Sequence, residues 1–214
     1  MNKAFEAAKN NNLPLILAST SKYKRQLLEK LISTFDVQAP NVAELSVANE
    51  SPEQMAIRLA TEKAHAVFLR FPEHTVIGAD QVCSLDIPGE QPHVLGKPGT
   101  VDKAIEQLTL CSGKTVRFYT AISVYVPSRS QPIEYCETTL VEFRALSAAA
   151  IRQYVAIEKP LDCAGSFKSE GLGIRLFNSI QTRDPNALIG LPLIGLVDIF
   201  NQLDIEVLNY RDKE

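Results

Sequence analysis

The sequence predicts an α/β fold, and three observations carry that reading. Residues 13–19 (LPLILAS) form an apolar run that leads at once into a helical pattern. Residues 76–79 (VIGA) form a second short apolar run, bounded by turn residues and ending on the carboxylate Asp80. Residues 114–126 (KTVRFYTAISVYV) and 134–144 are rich in β-branched and aromatic residues and are joined by the hairpin-like PSRSQP. Short apolar runs between turn signals read as buried strands, and strands alternating with amphipathic helices read as one α/β sheet.

Taken in order, residues 1–12 read as a polar N-terminal extension and 13–210 as a single domain, because no linker, repeat or low-complexity segment divides the chain. After the first strand, Ser21 is placed to cap the helix KYKRQLLEKLI, whose Leu27, Leu28 and Leu31 share a face. Helix N-termini attract anions through free N–H groups and the dipole. Lys22, Lys24 and Arg25 crowd that first turn, where the dipole disfavours cations, so an anion nearby is expected. A short strand over 35–39 and a loop bearing Glu44 lead to Ser51-Pro52-Glu53-Gln54, which has the cap, first-turn proline and glutamine of a capping box. The helix that follows carries Ala56, Leu59, Ala60, Ala64 and Val67 as an apolar stripe with Lys63 inside it. A lysine there either snorkels out or reaches a buried anion.

The central stretch, 75–98, combines Asp80, read as a strand-end carboxylate, with Gly96-Lys97-Pro98, which holds a cation on a stiff turn. That pairing suits a metal-bound polyphosphate. Thr100 and Ser147 are placed to cap two further helices, and Gly165, Gly171 and Gly173 let backbone approach a ligand closely. A final helix over 191–203 reads as core.

Composition narrows the function classes. Lys+Arg 22 against Asp+Glu 25 gives a net charge of −3, so no general nucleic-acid footprint is visible. No apolar run approaches the roughly 20 residues of a spanning helix. MNKAFEAAKNNN lacks the apolar core of a signal peptide. The four cysteines form no CxxC pair and the three histidines no HExxH-like group, which argues against structural zinc and for reduced thiols in the cytoplasm. Any metal would be a hard cation held by carboxylates and substrate oxygens, Mg²⁺ or Mn²⁺. The partners left are a small-molecule nucleotide, no nucleic acid, no membrane, and a second copy of the chain as an open option.

Segments spread between residues 15 and 195 resemble the Maf family of nucleotide pyrophosphatases. LASTSKYKRQLL resembles the family's LASxSPRRxxLL, LATEKA its LAxxKA, AGSFKSEG its AGxYxIQG and IGLPL its VGLPL, alongside ADQV and LGKP. Lys22 stands where proline is usual, Tyr23 and Lys24 where arginines fall, and Glu170 where most members carry glutamine. The resemblance implies an elongated mixed β-sheet with flanking helices, two lobes around a central cleft, of the Maf/ITPase-like kind. It implies cleavage of a nucleoside triphosphate to monophosphate and diphosphate, clearing modified nucleotides from the pool. The combination Tyr23, Gln81 and Glu170 is most similar to the subgroup acting on N7-methyl-GTP.

The expected site follows. Asp80 is the candidate general base and, with Glu44, the candidate metal ligand. Ser19, Ser21, Lys24, Arg25, Lys63, Lys97 and Lys168 are the candidates for holding phosphates, and Tyr23, Gln81 and Glu170 for holding the base. An unperturbed aspartate, with a pKa near ~3.9, is a poor base toward free water, and a divalent cation would remedy that. The competing class is a nucleotide-binding regulator of septum formation without turnover, since the family is also linked to septum arrest. A phosphatase of another class lacks a nucleophile motif here.

Overall fold

Three 11-residue strands form the spine of a mixed sheet. In chain order the elements are β1 (Leu15–Ala18), α1 (Lys22–Leu28), β2 (Asp36–Val37), α2 (Pro52–Phe68), β3 (Thr75–Leu85), β4 (His93–Val94), α3 (Val101–Cys111), β5 (Thr115–Tyr125), β6 (Ile133–Phe143), α4 (Ala148–Glu158), β7 (Phe177–Gln181) and α5 (Leu193–Gln202). This computed structural model describes residues 14–207 except Pro88 and Glu90, so the expected extension over 1–12 and the expected domain end at 208–210 lie outside the described residues. The strand order is β2-β1-β3-β5-β6-β7, with β4 beside the far end of β3. β1 runs parallel to β2 and β3, and the remaining pairs are antiparallel.

The caps fall where the residue types place them. Ser21 accepts from the Lys24 amide, and Ser51 and Gln54 exchange both bonds of the capping box. Thr100 and Ser147 accept from Lys103 and Ala150. The first helix is shorter than its apolar pattern suggested, ending at Leu28, with Leu31 carried on the turn that follows.

One expectation is corrected. β3 does not stop at Asp80 but continues five residues to Leu85. The reason is its alternation. Val76, Gly78, Asp80 and Val82 face α2, while Ile77, Ala79, Cys83 and Leu85 face the opposite side, so both faces stay buried past the carboxylate. Gly78 is what lets α2 lie so close, since a Cβ there would sit 2.2 Å from the Ala60 carbonyl oxygen.

The second face of β3 explains the two lobes. Ile77 and Ala79, with Ile122 and Val124 of β5, join the core built by α1 and α5. Cys83 and Leu85, with Val116 and Phe118, join the core built by α3 and α4. Between them, at one register position, stand Gln81 and Thr120. A polar pair in the middle of two long apolar-facing strands divides one continuous sheet into two hydrophobic cores. The edge of β3 opens at the same place, because β1 pairs only as far as Gly78 and β4 pairs only from Ser84 onward.

Candidate active site

That opening is a cleft of about 750 Å³. It begins where parallel strand β1 ends, the position at which ligands of α/β sheets gather. Ser19, Ser21, Tyr23 and Lys24 enter it from the β1–α1 turn, and Glu44 from the loop before α2. Lys63 comes from α2, Asp80 and Gln81 from β3, Lys97 from the turn after β4, and Glu170 from the glycine-rich segment.

At its centre lies a charge triad, two members buried and Glu44 half exposed. The Lys63 ammonium lies 2.5 Å from Asp80 Oδ1 and 2.5 Å from Glu44 Oε1. The stripe position that brings Lys63 into α2's apolar face is therefore explained by a buried anion, not by snorkelling. Burial works against the Lys63 charge, but Asp80 and Glu44 outweigh it and hold the ammonium above its usual range. Burial likewise works against the Glu44 charge, and Lys63, then Lys97 and Lys24, keep its carboxyl below the usual range. The Lys24 ammonium donates to the Ala79 carbonyl at 2.7 Å, on the open stretch of β3. Burial pushes it down to about 8, with Lys63 and Lys97 adding to burial and Asp80 and Glu44 opposing it.

The other end of the cleft has a different character. The Tyr23 hydroxyl donates to Asp162 Oδ2 at 3.4 Å. Burial raises this phenol well above its ordinary value, and the neighbours that add to the effect are Cys163, Asp162 and Glu170. Successive residues on a helix point about 100° apart. Tyr23 and Lys24 thus meet different groups in one cleft, the first Asp162, Glu170 and the neighbouring Lys22, the second Lys63, Lys97, Asp80 and Glu44.

Two expected phosphate ligands are not brought to the cleft. Arg25 turns along its own helix to Glu29 at 2.9 Å and is mostly exposed. The Lys168 ammonium donates to the Glu158 carbonyl at 3.0 Å, tying the glycine-rich segment to the end of α4. Gln81 lines the cleft but spends its amide N–H groups on Thr120 Oγ1 and the carbonyls of Ala187 and Leu188. Ser19 Oγ and Ser21 Oγ accept from the amides of Ser21 and Lys24, so the N-terminus of α1 is in part self-capped.

The family model described as Maf-like protein matches residues 14–203. The chain belongs to the Maf family. A curated Maf relative from Xanthomonas oryzae pv. oryzae (strain MAFF 311018), 51% identical over 88% of this chain and 95% of its own, is named "7-methyl-GTP pyrophosphatase". One from Vibrio cholerae, 44% identical over 92% and 99%, carries the same name. Among solved structures the Staphylococcus aureus Ham1 protein covers 89% of this chain and 99% of its own, at 17% identity and a TM-score of 0.49, too distant to argue from.

In this Maf chain, sequence reasoning missed Asp162. It stands three residues before Gly165, lines the cleft, and touches Tyr23, 139 positions away. An acidic residue opening a glycine-rich segment was the available signal. Sequence reasoning also missed the role of residues 187–188, whose carbonyls hold Gln81 and Thr120 at the lobe boundary. Burial pushes the thiols of Cys111, Cys136 and Cys163 up to about 12 and that of Cys83 well up, which holds them neutral near pH 7. Among the described residues no helix is long and apolar enough to cross a membrane.

Proposed function

We propose that the chain hydrolyses the α–β phosphoanhydride of N7-methyl-GTP, with water entering at phosphorus and N7-methyl-GMP and diphosphate leaving. The name shared by relatives at 44–51% identity supports this reading. The observation in the structure that carries it is the polarity of the cleft. Lys24, Lys63 and Lys97 gather around Glu44 and Asp80, three cations to two carboxylates, where a triphosphate would sit, and Tyr23, Asp162 and Glu170 gather where a base that methylation has made cationic would sit. Release of one diphosphate per N7-methyl-GTP consumed is the expected result, and release of phosphate, or none of either, would overturn it.

In this reading Asp80 takes the proton of the attacking water. Its contact with Lys63 uses Oδ1, which leaves Oδ2 for the water. Lys24, Lys63 and Lys97 neutralise the phosphates and hold the chain in line, the terms that dominate phosphoryl transfer.

The donor set also fits a hard divalent cation. Glu44 and Asp80 spend Oε1 and Oδ1 on the Lys63 ammonium, so their other oxygens would hold the ion, and among the described residues no cluster of three His, Cys, Asp or Glu side chains would cage a metal unaided. Two carboxylates completed by substrate phosphates is the usual arrangement for Mg²⁺. When bound, such an ion supplies charge neutralisation and makes water more acidic. Chelation is expected to abolish turnover, with Mg²⁺ or Mn²⁺ restoring it. Full activity after exhaustive chelation would contradict this role for Glu44 and Asp80.

Lys24 gives a pH dependence with a definite sign. A triphosphate favours the charged ammonium, so binding raises a pKa that lies near 8 in the free protein. The Lys24 contribution to affinity, read as wild type against Lys24→Met, is expected to be flat below pH 8 and to fall above it, by up to about tenfold per pH unit while the group is charged only in the complex. KM for the triphosphate measured from pH 6.5 to 9.5 checks this. Lys24→Met is expected to flatten the rise, and a wild-type KM constant across that range would contradict the assignment.

A further inference from the structure

The acidic end of the cleft already faces a cation of its own. Lys22, the first residue of α1, places its ammonium 4.9 Å from the centroid of the Tyr23 ring. The hydroxyl of the same ring donates to Asp162 Oδ2 at 3.4 Å. Burial works against the charge of Asp162, but the Cys163 thiol, the residue's own amide, Lys168 and Lys22 together hold its carboxyl below the usual range. An aromatic face backed by an ionised carboxylate, with an ammonium seated on it, is a cation site filled by the chain itself.

We propose that Tyr23 and Asp162 form a cation-recognition subsite, occupied in the free protein by Lys22, which the methylated base of the substrate takes over by displacing that ammonium. The inference rests on the reading of the cleft as one for N7-methyl-GTP and names the residues that select the base. Lysine is a compact, strongly hydrated ion on a flexible stem, and Lys22 is exposed, so it returns to water easily. A purine carrying a delocalised charge covers more of the ring and replaces the lost ammonium with a cation of its own. A neutral guanine covers the ring but leaves Asp162 with Lys168 alone as its counter-charge. Two cations do not share one ring face at contact distance in a partly desolvated cleft, because their repulsion exceeds thermal energy. Lys22 is therefore an internal competitor, and one that opposes the cationic base more than the neutral one.

The two side chains should then push selectivity in opposite directions, which damage to the fold does not do. The test is the ratio of kcat/KM for N7-methyl-GTP to that for GTP, with dTTP as a third substrate. Lys22→Gln is expected to lower KM for N7-methyl-GTP and raise the ratio, by about two- to fivefold, the scale of one exposed cation–π contact. Asp162→Asn is expected to lower the ratio by about two- to fivefold, the scale of one partly exposed charge, and Asp162→Glu to retain it. If Lys22→Gln weakens all three nucleotides alike, Lys22 is a phosphate ligand and the proposal is overturned. An unchanged ratio in both Lys22→Gln and Asp162→Asn, beside a wild type that prefers N7-methyl-GTP, overturns this inference while leaving the activity standing. A wild type with no such preference overturns both.

Discussion

Asp80→Asn is expected to keep nucleotide binding and to lose turnover by about 10²–10⁴-fold, the range for removal of a general acid–base group. The substitution conserves volume in a position that is buried. An asparagine oxygen still accepts from Lys63, and Glu44 remains as the counter-charge on that ammonium. What is lost is the basicity of the oxygen that would take a proton from water. Binding of N7-methyl-GTP by calorimetry, beside kcat, separates the two effects. Near-wild-type turnover would remove Asp80 from the chemistry, whereas a matching loss of binding and turnover would make it a ligand-holding group only.

Lys63→Met is expected to act on stability and on binding together. The ammonium sits between two carboxylates, and Asp80 is buried while Glu44 is half exposed. Glu44 can relax into water, so the cost falls on Asp80. Leaving one member of a buried pair uncompensated costs about 3–5 kcal/mol. Denaturant melts of the variant beside wild type at pH 7 should show that deficit. Triphosphate affinity should fall far more than monophosphate affinity. Equal losses for both ligands would reduce Lys63 to a packing residue.

How much of this was legible in the sequence differs from element to element. Helix starts were legible because they are local: the Ser51–Gln54 capping box needs four consecutive residues, and the structure forms it. Lys63 was legible as a conflict, a charge in an apolar stripe, though only the fold supplied Asp80 and Glu44 as its cause. The end of β3 was misplaced because a carboxylate after four apolar residues looks like a stop. Nothing local reveals that β5 pairs with the strand on through Leu85. β4 and β7 escaped notice since the first is two residues long and the second, FNSIQ, lies at the sheet edge with little apolar content. In α1 the cluster of cations was visible, but its division was not. Lys22 goes to the Tyr23 ring, Lys24 to the Ala79 carbonyl and Arg25 to Glu29, and helical rotation alone did not assign those partners. Asp162 was hidden for the same reason, since its partner is remote in sequence.

The central claim is that one cleft reads a cationic base at its acidic end and a triphosphate at its basic end. The most direct measurement is kcat/KM for N7-methyl-GTP, GTP, dTTP and UTP on the wild-type chain under one set of conditions, with diphosphate as the product followed. A cation–π contact is worth roughly 0.5–2 kcal/mol, and ~1.4 kcal/mol is tenfold. With the carboxylates of Asp162 and Glu170 added, N7-methyl-GTP is expected to exceed GTP by about tenfold or more. Equal values for the two guanine nucleotides, or faster turnover of dTTP or UTP, would contradict the account.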